Sequence, residues 1–209
     1  MKKVLIVLAT LTAVVFAAEG ISVDLPGTAP TDDLLQYDDG TPHWIWSGIS
    51  YFGTWFYVED FMPGSSGFEV DMTEWWHYHH PNSPWDTDMT SLELWNGDVA
   101  MPMTQLDATD ATALHYAPVY IDYDPNIEAE ANFWMIANTT VYSSEGVPSV
   151  LYDEFDNWTG TAHSFYSQDW VLWDPLVSAG YEIDAFFRCE GSFLALEGDS
   201  WGAIKGLYQ

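Results

Sequence analysis

Three acidic residues, Glu69, Asp71 and Glu74, lie along one short stretch of this chain. Paired carboxyls divide acid, base and nucleophile work in sugar-bond hydrolysis, and the retaining form of that chemistry needs them about 5–5.5 Å apart. On an extended strand, successive side chains alternate between two faces. Glu69 and Asp71 then share a face, whereas Glu74 has the opposite parity to Glu69. Only a β-bulge between Asp71 and Glu74 brings it round. Trp75 and Trp76 follow directly and offer rings for stacking on sugars. The competing reading is the wet face of a very acidic strand, because 32 Asp and Glu in 209 residues make such spacings common.

Metal chemistry has two candidate sets. His77 and His79 share one strand face, a spacing that suits two ligands of Zn²⁺ or Cu²⁺. Paired carboxylates also recur in or beside turns, at Asp38-Asp39-Gly40, Asp86-x-Asp88, Asp122-x-Asp124 and Asp153-Glu154-x-Asp156. Ca²⁺ takes six to eight oxygens and tolerates irregular loops. It is therefore the expected ion, with Asp38 and Asp39 the first ligands expected and Asp86 and Asp88 the next. The same side chains cap turns equally well. Twelve tryptophans complete the inventory. Trp44, Trp46, Trp55, Trp75, Trp85, Trp95 and Trp158 fall in loops or on faces expected to be wet. Trp75, Trp85 and Trp95 are the expected ligand-binding set, because exposed rings stack on sugars or on a neighbouring subunit. There is no glycine-rich phosphate loop, no Gly-x-Ser-x-Gly elbow and no nicotinamide or flavin fingerprint, and His163-Ser164 has no evident partner.

The elements that must position these groups read as strands. Phe68 to Tyr78 alternates over eleven residues, with Phe68, Val70, Met72, Trp76 and Tyr78 on one face and Glu69, Asp71, Thr73, Trp75 and His77 on the other. Such alternation gives one core face and one wet face. Further strands are expected at Thr54–Glu59, Thr90–Trp95, Tyr116–Tyr123, Ala131–Ala137, His163–Ser167, Trp170–Trp173 and Tyr181–Cys189. Turn clusters such as Met62-Pro63-Gly64 and Asp124-Pro125-Asn126 separate them. Helical periodicity is absent between residues 37 and 190. The expected fold is an all-β antiparallel sandwich, jelly-roll-like, in a single domain over 37–190. Cys189 falls on the face of Ile183, Ala185 and Phe187 and reads as a buried thiol. Arg188 points the other way and reads as a structural ion-pair partner.

Charge and the N-terminus bound the setting. The formal net charge is -28, with only four Lys and Arg. Nucleic-acid binding needs cations that displace phosphate counterions, and docking on an anionic membrane needs them too. Lys2 and Lys3 precede an apolar run from Val4 to Val15, and Val15-Phe16-Ala17 forms a small-x-small site. Residues 1–17 read as a secretory signal peptide. The run is shorter than the roughly 20 residues that span a bilayer, so no membrane insertion is expected. Residues 18–36 read as an extended leader and 191–209 as a linker and short tail. In that tail Trp201, Ile204 and Tyr208 form a one-sided apolar stripe. It is expected to dock on another copy or on an export or anchoring component.

Several segments together carry a family likeness: Tyr37-Asp38-Asp39-Gly40-Thr41-Pro42, Phe52-Gly53-Thr54-Trp55-Phe56, Tyr78-His79-His80, Pro84-Trp85-Asp86-Thr87, Glu93-Leu94-Trp95-Asn96-Gly97-Asp98, His115-Tyr116-Ala117-Pro118-Val119, Asn132-Phe133-Trp134 and His163-Ser164-Phe165-Tyr166-Ser167. The stretch from about 34 to 191 resembles secreted β-sandwich domains of poorly characterised bacterial lineages that open with a Tyr-Asp-Asp-Gly-Thr element. Ser200-Trp201-Gly202-Ala203-Ile204-Lys205 resembles a short tail on exported proteins of such bacteria. The resemblance implies secretion, a sandwich fold and residence at the cell surface or in extracellular material, and it implies no reaction. Glu69-Val70-Asp71-Met72-Thr73-Glu74 separately resembles the catalytic strand of jelly-roll β-glucanases, agarases and laminarinases. That likeness implies Glu69 as nucleophile, Asp71 tuning its ionisation and Glu74 as acid/base. The expected function is a secreted, non-enzymatic surface, adhesive or assembly-forming protein whose partners are itself, other cell-surface components or polysaccharide. The alternatives are a carbohydrate-binding module, using Ca²⁺ or an aromatic platform, and a retaining glycoside hydrolase using Glu69 and Glu74.

Overall fold

The computed structural model describes residues 33–79, 84–154 and 162–195. The signal segment, the leader up to residue 32, His80, Asp156, Trp158 and the tail lie outside the described residues.

Twelve strands follow one another: β1 (Asp33–Leu35), β2 (Trp44–Trp46), β3 (Tyr51–Tyr57), β4 (Ser65–Trp76), β5 (Met89–Asp98), β6 (Met101–Thr112), β7 (Pro118–Glu130), β8 (Asn132–Asn138), β9 (Val150–Tyr152), β10 (Ser164–Ser167), β11 (Asp174–Pro175) and β12 (Phe187–Ala195). Short 3-10 turns occupy Val58–Asp60 and Leu176–Ala179. One sheet has the order β1-β12-β4-β7 and the other β11-β10-β3-β8-β5-β6, while β2 and β9 form a separate ribbon. All the strand pairs are antiparallel.

The connectivity is that of a jelly roll. With β1, β3, β4, β5, β6, β7, β8 and β12 taken as first to eighth, the sheets run first–eighth–third–sixth and second–seventh–fourth–fifth. Two interleaved Greek keys give this order. Strands β10 and β11 widen the second sheet beyond β3. The main core lies between the sheets, built from Phe52 and Phe56 of β3, Phe68, Val70 and Trp75 of β4, Leu92 and Leu94 of β5, and Phe133 and Met135 of β8. Val150 and Tyr152 of the ribbon close it at one end.

Several expectations change. The sandwich takes in Asp33–Leu35 from the leader, which pair with β12, and Gly191–Ala195 from the linker, which pair with β4. Strand β6 had no expected counterpart. Trp170–Trp173 is not a strand but a turn, and Tyr181–Cys189 becomes regular strand only from Phe187. Cys189 is fully buried in the main core with Ile183, Ala185 and Phe187, and burial pushes its thiol well up.

Candidate functional site

The β4 strand decides the carboxylate question. Its pairing with β12 runs Val70↔Gly191 and then Met72↔Glu190, leaving Asp71 as the extra residue of a bulge. A bulge shifts the alternation by one. Phe68 and Val70 enter the core before it, and Thr73 and Trp75 enter after it. The expected assignment is therefore corrected from Asp71 onward: Trp75 is a core residue, fully buried, and cannot serve as a ligand platform.

The same bulge places Glu69 and Glu74 on the outer face, yet apart. Glu69 stands opposite Ser192 and Glu74 opposite Arg188. Four strand positions separate those partners, or about 13 Å at about 3.3 Å per residue. That spacing does not suit a retaining pair. Glu74 is also committed, being 9% exposed and accepting from Arg188 Nη1 at 3.1 Å and from the Trp76 indole. Glu69 meets Asn126 Nδ2 at 3.5 Å and Ser192 Oγ at 3.4 Å.

Asp38, the first expected calcium ligand, faces the same arginine. Its carboxylate takes Arg188 Nε at 2.9 Å and Arg188 Nη2, and its Oδ1 also accepts the Gly40 amide at 3.0 Å. Arg188 is 5% exposed and lies 5.0 Å from the Phe186 ring centre. Asp39 Oδ1 caps its own turn by accepting the Thr41 amide at 2.6 Å. Asp86 and Asp88 are exposed before β5, where Thr87 Oγ1 accepts the Met89 amide at 3.1 Å. His77 and His79 part company at the end of β4. His77 is fully buried, and its ring nitrogens have no hydrogen-bond partner. His79 is exposed, stacks on Trp85 at 4.7 Å, and accepts the Trp85 amide at Nε2, 3.2 Å away. Among the described residues, no three His, Cys, Asp or Glu side chains converge to hold a metal ion.

A buried acid network joins the loops around β12. Asp153 is fully buried, and its carboxylate accepts the Asp184 amide at 2.6 Å and the Asp39 amide at 3.2 Å. Ser164 Oγ donates to Asp184 Oδ1 at 2.9 Å and accepts the Ala185 amide at 3.0 Å. His163 stacks on Tyr37 at 3.4 Å and on Trp55 at 5.4 Å. Its Nδ1 donates to the Trp55 carbonyl at 3.1 Å, and its Nε2 lies 3.6 Å from Asp60 Oδ2. His163 and Ser164, neighbours in sequence, are thus spent on different carboxylates. They line a shallow open cleft with Tyr181, Glu182 and Asp184.

Burial pushes the Asp153 carboxyl up from 3.8 to about 8 and the His77 imidazole down from 6.5 to about 4. The raised acid gives stability that is complete below about pH 4 and is lost as pH rises through 8. The lowered histidine gives stability that is complete above 6.5 and is lost as pH falls through 4. Between pH 6.5 and 8 only the Asp153 effect operates, with a limiting slope of about 1.4 kcal/mol per pH unit. Urea unfolding at pH 6.5 and pH 8 is expected to show the wild type less stable at the higher pH. Asp153→Asn is expected to remove that difference, and an unchanged slope in the variant would discount the assignment.

The aromatic set converges elsewhere than expected. On the outer face of the six-stranded sheet, Trp55, Trp134 and Trp95 stand side by side on β3, β8 and β5. Trp85 lies with His79 instead, so Trp75, Trp85 and Trp95 form no common platform. The segment from Gln168 to Trp173 lies across this face. Trp173 packs on Trp134 at 5.1 Å, over Gly53, where a Cβ would come within 2.8 Å of its ring. Trp170 packs against Trp95 at 4.8 Å and Tyr51 at 4.9 Å.

Polar bonds pin the rest of the turn. Gln168 Nε2 donates to the Gly48 carbonyl at 3.0 Å, and its Oε1 accepts from Ser50. Ser167 Oγ accepts the Trp170 amide at 3.0 Å. Asp169 Oδ1 accepts the amides of Val171 at 2.9 Å and Leu172 at 3.0 Å. Trp170 sits at φ 68, a left-handed conformation that a non-glycine residue adopts only at a cost of about 1–3 kcal/mol. The result is that Val171 is 76% exposed and Leu172 61% exposed. The Ser-Gln-Asp run before Trp170 is turn chemistry, and it was the signal by which sequence reasoning could have found this element.

These observations define an all-β jelly-roll sandwich with a pinned apolar turn over an aromatic sheet face. Comparison with protein-family models, with curated proteins and with solved structures finds no match.

Proposed function

We propose that this protein is a secreted, non-catalytic sandwich that works by surface contact, as an adhesive or assembly-forming component of a bacterial cell surface or extracellular material. The observation that carries the reading is the Gln168–Trp173 turn. It spends six polar bonds and two indoles, one of them on a left-handed residue, on holding two aliphatic side chains in water. Exposed apolar groups on a rigid support are a feature of contact surfaces. The carboxylates a hydrolase would use are instead separated along β4, with Glu74 tied to Arg188.

Electron microscopy of the purified protein, with a polysaccharide hydrolysis screen on the same sample, tests this. Assembled particles without hydrolysis are expected. Hydrolysis that Glu69→Gln abolishes would overturn the reading. A second reading, polysaccharide binding, is favoured by the half-exposed rings of Trp95 and Trp170 beside the Glu93–Asn138 hydrogen bond of 2.8 Å. Affinity electrophoresis in polysaccharide gels, with Trp170→Ala, separates it from self-assembly.

A further inference from the structure

We infer that the outer face of the six-stranded sheet is a self-association surface, on which Val171 and Leu172 of one copy pack against the Trp95 and Trp170 rings of a second. The inference rests on the contact function proposed above and names the partner.

Charge selects the face. Among the described residues Arg188 is the only Lys or Arg, and it is consumed by Asp38 and Glu74. A second copy therefore brings no exposed lysine or arginine from these residues, and the described surfaces of two copies meet most favourably where apolar contact outweighs repulsion. The outer face of the four-stranded sheet cannot serve. Glu69 stands directly opposite Glu128 there, and Met72 is flanked by Asp122 and Glu190. Like charges paired in this way repel.

On the six-stranded sheet the carboxylates nearest the turn are already engaged. Asp169 holds the Val171 and Leu172 amides, and Glu93 accepts from the Trp95 indole at 2.8 Å and from Asn138. The Trp134 indole donates to the Asp98 carbonyl at 2.9 Å, which brings the β5–β6 hairpin to the same face, with Val99 and Met101 exposed.

Self-complementarity selects the partner. A two-fold contact requires that one patch carry both the projecting group and its receptor. Here Val171 and Leu172 project, and the half-exposed Trp95 and Trp170 provide the floor. The four longer strands β3, β8, β5 and β6, each of seven residues or more, give the supporting face a length of about 23 Å at about 3.3 Å per residue.

Sedimentation equilibrium of the full chain tests this at about 0.05 M and about 1 M salt, where the Debye length falls from more than 10 Å to about 3 Å. Self-association is expected to strengthen with salt, opposite to a contact held by ion pairs. The double variant V171D/L172D is expected to weaken it by about 100-fold, with circular dichroism unchanged. Val141→Asp, at another exposed aliphatic position, is expected to leave it as in wild type. The inference falls if the double variant associates like wild type, if association weakens with salt, or if wild type stays monomeric at high salt. In the first two cases the contact function survives. If a monomeric wild type instead binds polysaccharide and the double variant does not, the occupant is a sugar. A wild type that does neither sinks both readings.

Discussion

Arg188→Met is expected to cost the fold about 3–5 kcal/mol, the usual penalty for removing one partner of a buried ion pair. Arg188 joins strands that lie far apart in sequence. It donates to Asp38, just after β1, through Nε and Nη2, and to Glu74 on β4 through Nη1. Asp38 is 3% exposed and Glu74 9% exposed. Without the guanidinium both carboxylates stay out of water with no counter-charge, in a chain whose net charge is already -28. Lysine is not an adequate substitute, because a single ammonium cannot reproduce the fork that spans both acids. The decisive comparison is a series. The triple variant R188M/D38N/E74Q is expected to recover much of the loss, because it removes the buried charges along with their partner. If Arg188→Met costs under about 1 kcal/mol in urea unfolding, where surface pairs fall, the triad is not buried as described.

That triad also shows which parts of the molecule were readable beforehand. The ion-pair role of Arg188 is readable because alternation puts it on the side that bears Glu182 and Asp184. Its partners are not, since Asp38 is 150 residues away and only the β1–β12 pairing brings it near. Strand class was legible where one face is core, as at Phe56 on β3 and Phe133 and Met135 on β8. It was illegible at β6, an edge strand exposed along much of its length, where neither face demands a regular apolar pattern. Within the Gln168–Trp173 turn, Trp170–Trp173 reads as a strand because its tryptophans mimic strand composition. They are in fact anchors on the sheet beneath.

The bulge at Asp71 is the largest single departure, and it yields opposite predictions for one residue. Simple alternation puts Trp75 in water, where truncation to alanine costs little. With Asp71 as the extra residue, Trp75 is fully buried between the sheets. It packs on Phe187 with ring centres 4.7 Å apart, and its indole donates to Thr73 Oγ1 at 2.8 Å. Thr73 Oγ1 lies 3.3 Å from the Tyr123 hydroxyl, so the tryptophan completes a small polar chain inside the core. Trp75→Ala is therefore expected to cost about 3–5 kcal/mol, from lost burial and the cavity left behind. At a urea slope of about 2 kcal/mol/M the midpoint falls by about 1.5–2.5 M. Trp95→Ala on the half-exposed outer face is the matched control and is expected to lose much less stability, because the removed ring is already partly in water. Equal, small losses at both positions would restore the unbroken alternation. They would also return Glu74 to the face opposite Glu69 and remove it from Arg188, so this substitution tests the β4 register and the ion-pair triad together.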